Sequence, residues 1–126
     1  MDDRPRMTLT GPVLEAPDAR ELADFYQRLL GWPVVEDVGH WVVLEAPDGV
    51  RLSFQTEPDY VPPVWPTEPG SQQMMAHLDI AVTDLGPATD HAVAAGARLA
   101  EFQPQEQVRV CLDPAGHPFC LYLPEE

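Results

Sequence analysis

The residues with the clearest chemical potential are a histidine and an aspartate two positions apart, His77 and Asp79. Both lie in strand-like sequence, where side chains alternate between faces, so the two share one face. An imidazole beside a carboxylate can act as a general base, with the carboxylate orienting the ring. A plain hydrogen-bonding histidine and a solvated aspartate at a sheet edge would give the same pattern. We therefore treat His77 as a candidate catalytic residue and keep both interpretations open.

Metal ligation is not indicated by residue spacing. The histidines are far apart in the sequence, at His40, His77, His91 and His117. Cys111 and Cys120 are nine positions apart, which matches no common zinc pattern. The sequence also has no nucleophile elbow, phosphate loop or dinucleotide fingerprint. We expect free thiols and no metal motif.

The composition is strongly acidic and limits the possible partners. The 126 residues include 21 acidic and 7 basic side chains, for a formal net charge of −14. This charge disfavours nucleic acid and anionic membrane surfaces and suits a neutral or cationic small molecule. A charge that only keeps the protein soluble is the simpler alternative. Because the sequence shows no signal peptide and no apolar run near the ~18 residues of a membrane span, we expect a cytoplasmic protein.

An internal duplication determines where these residues lie. The recurring landmarks are the helix starts Asp18 and Asp84, the helix ends Gly31 and Gly96, and the turn glycines Gly49 and Gly116, at offsets of 66, 65 and 67. Landmarks repeated in the same order predict two strand-helix-strand-strand-strand units that pack on each other. We predict a single domain over residues 1–126, with unit one at 8–56, a Pro-rich connection at 57–73 and unit two at 74–123.

Helix caps and periodicity define the elements of each unit. Asp18 and Glu21 form a capping-box-like start, and apolar residues at helical spacing follow up to Gly31. Asp84 begins a second, alanine-rich helix that ends at Gly96. Alternating or β-favouring sequence predicts strands at residues 8–15, 32–38, 40–45, 50–56, 76–83, 98–102, 107–112 and 118–123.

The connection between the units is dense in proline, which excludes helix and central strand. It carries Trp65, which is either a pocket lid or a cap on the core under a long loop. Other aromatic residues, including Trp41 and Tyr122, must also be accommodated in a small domain. Most will be core, but a concave sheet face lined by some of them would form a flat apolar ligand site.

Four sequence runs carry a family resemblance: Phe25-Tyr26-Gln27-Arg28-Leu29-Leu30-Gly31-Trp32, Pro47-Asp48-Gly49-Val50-Arg51-Leu52-Ser53-Phe54-Gln55, Ala76-His77-Leu78-Asp79-Ile80 and Leu112-Asp113-Pro114-Ala115-Gly116-His117-Pro118-Phe119. Together they resemble the glyoxalase / bleomycin-resistance / extradiol-dioxygenase (vicinal oxygen chelate) superfamily, in particular its glyoxalase-like domain branch. The resemblance covers essentially the whole chain. It implies an α+β fold in which two βαβββ units form an incomplete barrel around a concave ligand cup, usually in a homodimer.

In the metal-using members of this superfamily, first and last strands of the units hold a divalent ion in the cup. Matched position by position, the ligand places of unit two fall on His77 and Cys120, and those of unit one fall on or near Gly11 and on Ser53. Only His77 keeps a typical ligand type, and a stable site wants about three protein ligands. We therefore predict no metal of the family type, although a divalent ion in a rearranged site is left open.

The sequence thus predicts a metal-free small-molecule-binding protein, similar to the antibiotic-sequestering members of the superfamily. The expected ligand-contacting residues are Trp41, Ser53, Gln55, Trp65, His77, Asp79, Cys120 and Tyr122. The alternative is a lyase, isomerase or dioxygenase-type enzyme that uses a rearranged metal site or His77 as general base. A third possibility is a cup filled by its own side chains, which would leave no cavity.

Overall fold

The computed structural model describes residues 3–124 and contains two four-stranded sheets and two helices. Unit one comprises β1 (Val13–Ala16), α1 (Ala19–Leu30), β2 (Val34–Asp37), β3 (Trp41–Glu45) and β4 (Arg51–Thr56). Unit two comprises β5 (Leu78–Ala81), α2 (Leu85–Ala95), β6 (Arg98–Leu99), β7 (Val108–Leu112) and β8 (Pro118–Tyr122). The predicted α+β class and the two βαβββ units are confirmed, and the sheets are not closed into a barrel.

The two sheets have the same topology. Their strand orders are β1-β4-β3-β2 and β5-β8-β7-β6, and in each the first strand pairs in parallel with the last. The remaining neighbours are antiparallel. The registers also correspond, because Val13 lies opposite Ser53 in unit one as Asp79 lies opposite Cys120 in unit two. Each unit thus places equivalent residues side by side on its first and last strands.

Both helices begin and end where the sequence predicts. The Asp18 side chain accepts a hydrogen bond from the Arg20 backbone N–H at 3.0 Å, and Gly31 ends α1 with a φ of 74°. Asp84 caps α2 in the same way, and Gly96 ends it. Neither helix in the part of the chain that the structure describes is long and apolar enough to span a membrane.

The first strand differs from the prediction, because it begins at Val13 rather than at residue 8. Gly11 has a φ of 145°, and Pro12 has no N–H to donate to a neighbouring strand. Residues 3–10 are exposed and contain no strand. The sixth strand is also shorter than predicted, at two residues rather than five. Between β4 and β5 the chain contains no helix or strand over residues 57–77, in agreement with its prolines.

One hydrophobic core lies between the units. Phe25 and Tyr26 of α1 are fully buried and contact Phe119 of β8, with ring centroids 5.9 and 6.1 Å apart. Tyr26 also stacks on Phe54 of β4 at 5.5 Å. The facing helix α2 contributes the small buried residues Ala92 and Ala95, which leave room for these rings. The aromatic residues of one helix therefore fill the space left by the alanines of the other.

The helix-facing sides of both sheets cover this core. Phe54 of β4 and Phe119 of β8 point towards it, so Ser53, Gln55 and Cys120 belong to the opposite faces. These opposite faces are the ones on which a ligand cup was expected.

Candidate functional site

Three side chains that can bind a metal ion cluster at the start of unit two. His77 directly precedes β5, Asp79 lies on β5, and Cys120 is its register partner on β8. The His77 Nε2 atom lies 3.0 Å from Asp79 Oδ1, and one ligand atom of each residue lies within 4.8 Å of the others. His77 and Asp79 are exposed, and Cys120 is half-buried. Strand periodicity placed His77 and Asp79 on one face, the family resemblance paired His77 with Cys120, and the fold brings all three together.

The protonation state of Cys120 follows from its surroundings in the cluster. Burial raises the pKa of the Cys120 thiol, and the negative charge of Asp79 and a hydrogen bond to it raise that pKa further. The thiol is therefore protonated at neutral pH and donates to the carboxylate. The Asp79 carboxylate thus contacts both the His77 imidazole and the Cys120 thiol.

A cavity, called the large cavity below, is lined by residues of β1, β4 and the Pro-rich connection. Its volume is about 570 Å³, within the range of small-molecule sites. The carboxylates of Glu15, Glu57 and Asp59 contribute to its wall. Gln55 is the one residue of the predicted ligand set that lines this cavity in the described structure.

The remaining predicted residues are distributed over the two sheets. Trp41 lies opposite Gln55 across β3 and β4, on the face that points away from α1. Ser53 shares that face and is buried. Tyr122 lies two residues beyond Cys120 on β8 and shares its face. These three residues therefore lie on the sheet faces that point away from the helices.

Trp65 lies elsewhere. Its indole Nε1 donates to the Phe102 carbonyl oxygen at 3.3 Å, and the two rings are 5.9 Å apart. Together with Arg98 and Leu99 of β6 they line a separate cavity of about 480 Å³. Trp65 therefore lies beside the outer strand of unit two, and does not line the large cavity.

The sequence did not indicate a hydrogen-bonded chain that ends at the large cavity. The buried Asp113 carboxylate accepts from Tyr26 Oη at 2.7 Å and binds His117 Nδ1 at 2.8 Å. The other imidazole nitrogen, Nε2, lies 3.2 Å from the Tyr60 hydroxyl. Both His117 and Tyr60 line the cavity. The only available signal was an aspartate four residues before a histidine in a turn, which does not reveal the two tyrosines.

A model of the glyoxalase-like domain family matches residues 12–122. The chain belongs to this family. Its fold resembles a possible glyoxalase from Bacillus cereus, at 12% identity and a TM-score of 0.67, over 93% of this chain and 99% of that one. It also resembles a glyoxalase-related enzyme from Fulvimarina pelagi, at 18% identity and a TM-score of 0.68, over 94% and 89% of the two chains.

A third solved structure, a glyoxalase/bleomycin resistance protein/dioxygenase family enzyme from Burkholderia phytofirmans PsJN, is 16% identical, with a TM-score of 0.66 over 89% of this chain and 94% of that one. At such identities, the likeness concerns the fold alone. No curated protein matches the chain significantly.

The glyoxalase-like fold clarifies what unit one can offer to a metal ion. A Cβ atom at Gly11 would lie 2.1 Å from the Arg51 carbonyl oxygen, so the backbone leaves no space for a side chain there. Ser53 is buried, and its neighbour on β1 is the apolar Val13. The positions equivalent to Asp79 and Cys120 thus carry a valine and a serine. A set of ligands drawn from both units does not fit these residues.

In unit two of this glyoxalase-like domain, the residue types of the His77, Asp79 and Cys120 cluster suit a zinc ion. Imidazole, carboxylate and thiolate are the three ligand types that zinc accepts, and zinc sites with three protein ligands keep a fourth position open. In a tetrahedral zinc site the ligand atoms lie about 3.3–3.7 Å apart, given bonds of about 2.0–2.3 Å. The His77, Asp79 and Cys120 ligand atoms lie within 4.8 Å of one another, somewhat wider than this spacing.

Proposed function

We propose that this glyoxalase-like protein binds a small organic cation with an apolar body, without a metal centre of the family type. The observation that carries the proposal is the cavity of about 570 Å³ between the first sheet and the Pro-rich connection. A cup filled by its own side chains would leave no such space.

The charge of the cavity wall favours a cation. Glu15 comes from β1, and Glu57 and Asp59 come from the segment after β4, so acidic residues from two parts of the chain line the cavity. Among the described residues, no arginine lines it, and the sequence contains no lysine. The net charge of −14 adds a long-range attraction for cations.

The rest of the wall suits an apolar body. Val61 and Pro63 come from the connection, and Met74 and Met75 follow them along the chain. Methionine side chains are flexible and polarizable, so they adapt to apolar groups of different shapes. The cavity therefore combines an acidic side with an adaptable apolar side.

Isothermal titration with a panel of aromatic amines and their uncharged isosteres tests this proposal. We expect heat of binding for the cations and weaker binding for the neutral compounds. Glu57→Gln should weaken cation binding about fivefold, the size of a partly exposed charge pair. Glu68→Gln is the control, because Glu68 lies in the same connection but does not line the cavity. Absence of heat with every cation would reject the proposal.

A second candidate function is metal-dependent catalysis at the cluster of unit two. It is favoured by the convergence of His77, Asp79 and Cys120, whose ligand atoms lie within 4.8 Å of one another. A bound zinc ion would supply Lewis acidity and an activated water. The three side chains would hold it and leave a position open for substrate. His77 acting as general base, with Asp79 behind it, is the metal-free version of this function.

Elemental analysis of gently purified protein tests the metal version. We expect about one equivalent of a thiophilic divalent metal, which His77→Ala or Cys120→Ser should remove. His40→Ala is the matched control, because His40 is exposed in a turn and lies outside the cluster. Equal metal content in wild type and all three variants would reject this function.

We also propose that the protein acts in the cytoplasm as a homodimer, as the family resemblance implies. Light scattering of the purified protein measures the assembly directly. A monomer at micromolar concentration would contradict it.

A further inference from the structure

A histidine in the wall of the large cavity is held in one orientation by a buried carboxylate. Asp113 has no exposed side-chain surface, and it lies 2.8 Å from His117 Nδ1. It also accepts from the backbone N–H groups of Ala115 and His117 and from Tyr26 Oη. A carboxylate that accepts from so many donors acts as an acceptor towards Nδ1 as well, so Nδ1 carries the proton. In the neutral ring, Nε2 is then an acceptor.

The Tyr60 hydroxyl, which lies beside Nε2, can donate its proton to either of two acceptors. The Tyr60 hydroxyl lies 2.9 Å from the Ala115 carbonyl oxygen and 3.2 Å from His117 Nε2. It has one proton and can fully donate to only one of these atoms. Burial raises the pKa of Tyr60, and the charges of Asp113 and Glu15 raise it further, so the hydroxyl keeps its proton. Donation to the closer Ala115 oxygen leaves the Nε2 lone pair without a strong donor.

The residue that carries this lone pair lines the cavity that is proposed to bind a cation. His117 and Tyr60 line the same cavity as Glu15 and Glu57. A carboxylate attracts any cation, including a quaternary ammonium, whereas a nitrogen lone pair also requires an N–H donor on the ligand. The imidazole can therefore distinguish between cations that the carboxylates cannot.

We propose that His117 Nε2, oriented by Asp113, selects ligands with a primary or secondary ammonium group over quaternary ammonium compounds. His117 contacts the ligand in this scheme, and Asp113 is a positioning residue. The inference rests on the cation binding proposed above and adds to it the class of cation.

The test compares two probes that differ only at nitrogen, 2-phenylethylamine and its N,N,N-trimethyl derivative, by isothermal titration at about pH 8. We expect the wild type to bind the primary amine about tenfold more tightly, the size of one hydrogen bond from a charged donor. His117→Phe should bring the two affinities close together. His40→Phe, which changes an exposed histidine outside the cavity, should keep the tenfold preference.

Two further measurements test the inference even if the His117→Phe protein does not fold. Tyr60→Phe removes the competing hydroxyl, so it should keep or increase the preference for the primary amine. Nitrogen-15 NMR of the wild type should show the His117 Nε2 resonance moving with the primary amine and not with the trimethyl compound. An unmoved resonance, or a preference unchanged by His117→Phe, would overturn the inference while leaving cation binding intact. Binding of neither probe would overturn the inference, and cation binding itself would be overturned only if the whole panel of cations also gave no heat.

Discussion

At the scale of single residues, one turn position distinguishes the two units. Asp113 begins the turn between β7 and β8, and the equivalent residue of unit one, at an offset of 67, is Ala46. Both are buried, and both accept a backbone hydrogen bond from the turn glycine three residues later. Only Asp113 adds a buried carboxylate, which joins Tyr26 of α1 to His117. The duplicated turn has thus become a polar link between the units.

Removing this carboxylate should be costly. We expect Asp113→Ala to lower the free energy of unfolding by about 3 kcal/mol, because the buried Tyr26 hydroxyl loses its acceptor. Asp48→Ala is the control, since Asp48 lies exposed in the other turn and accepts one local hydrogen bond. It should cost less than about 1 kcal/mol. Urea unfolding measured by circular dichroism gives both values, and equal losses would contradict this role.

The two cysteines should react very differently. Burial raises the pKa of Cys111 to about 11, and its side chain lies in the core. Cys120 is only half-buried, and its pKa is also raised, so iodoacetamide at neutral pH should label it slowly. Cys111 should stay unmodified until the protein is unfolded, as mass spectrometry of the peptides would show. Added zinc should slow labelling of Cys120, and a chelator should restore it. Labelling of Cys120 that is insensitive to zinc would weigh against the metal site.

At the scale of elements, the start of β1 is shaped by Gly11. Its φ of 145° and the absence of space for a Cβ bring the backbone against the Arg51 carbonyl oxygen of β4. This close approach accounts for both the late start of β1 and the missing metal ligand in unit one. At this position the backbone itself, and not only the residue type, excludes a side chain that could serve as a metal ligand.

Gly11→Ala should therefore destabilise the protein by about 2–3 kcal/mol, as expected when atoms are forced into filled space. Gly49→Ala is the matched control, because Gly49 also has a positive φ, of 95°, but has nothing within 4 Å of an added Cβ. Strain alone should cost about 1 kcal/mol there. The difference in melting temperature between the two variants measures the cost of the steric clash alone. Equal melting temperatures would show that the N-terminal segment moves to accommodate the added methyl group.

The sequence predicts helices better than it predicts strand ends. Asp18, Gly31, Asp84 and Gly96 specify the helix termini through local hydrogen bonds and backbone angles, so short windows contain the information. The start of β1 depends instead on the approach of Gly11 to β4, forty residues later in the sequence. No local pattern contains that contact.

The same distinction applies to the candidate site. His77 and Asp79 are two residues apart, so strand periodicity alone placed them together, and the fold brings them together. Tyr60 and His117 meet across 57 positions, and the path of a Pro-rich segment without periodicity decides their contact. The position of Trp65 beside Phe102 depends on that same path. Sequence patterns therefore indicate contacts within a strand and not those made by the connection.

At the scale of the whole molecule, the two units share one core rather than having one each. Phe25 of unit one contacts Phe119 of unit two, and the Arg28 guanidinium donates to the Ala95 carbonyl oxygen at 2.8 Å. The helix-facing sides of both sheets belong to the same hydrophobic cluster. Neither unit can bury its apolar face without the other, so the two should unfold together.

Phe25→Ala tests this cooperativity. Loss of the fully buried ring should lower the free energy of unfolding by about 4 kcal/mol. Unfolding should remain a single transition, seen at the same urea concentration by tryptophan fluorescence and by circular dichroism. Two separate transitions, in the variant or in the wild type, would show that the units are independently stable.

The hydrogen bond between Tyr26 and Asp113 spans 87 positions of the chain and restricts how this protein can diverge. A mutation at either position alone leaves a polar group in the interior without its partner. A lineage can therefore lose the pair only through a less stable intermediate or through two simultaneous changes. The duplication produced two similar units, and this contact now couples one position in each of them. The two sites are therefore expected to covary, the one in a helix and the other in a distant turn, among proteins that inherited this interior.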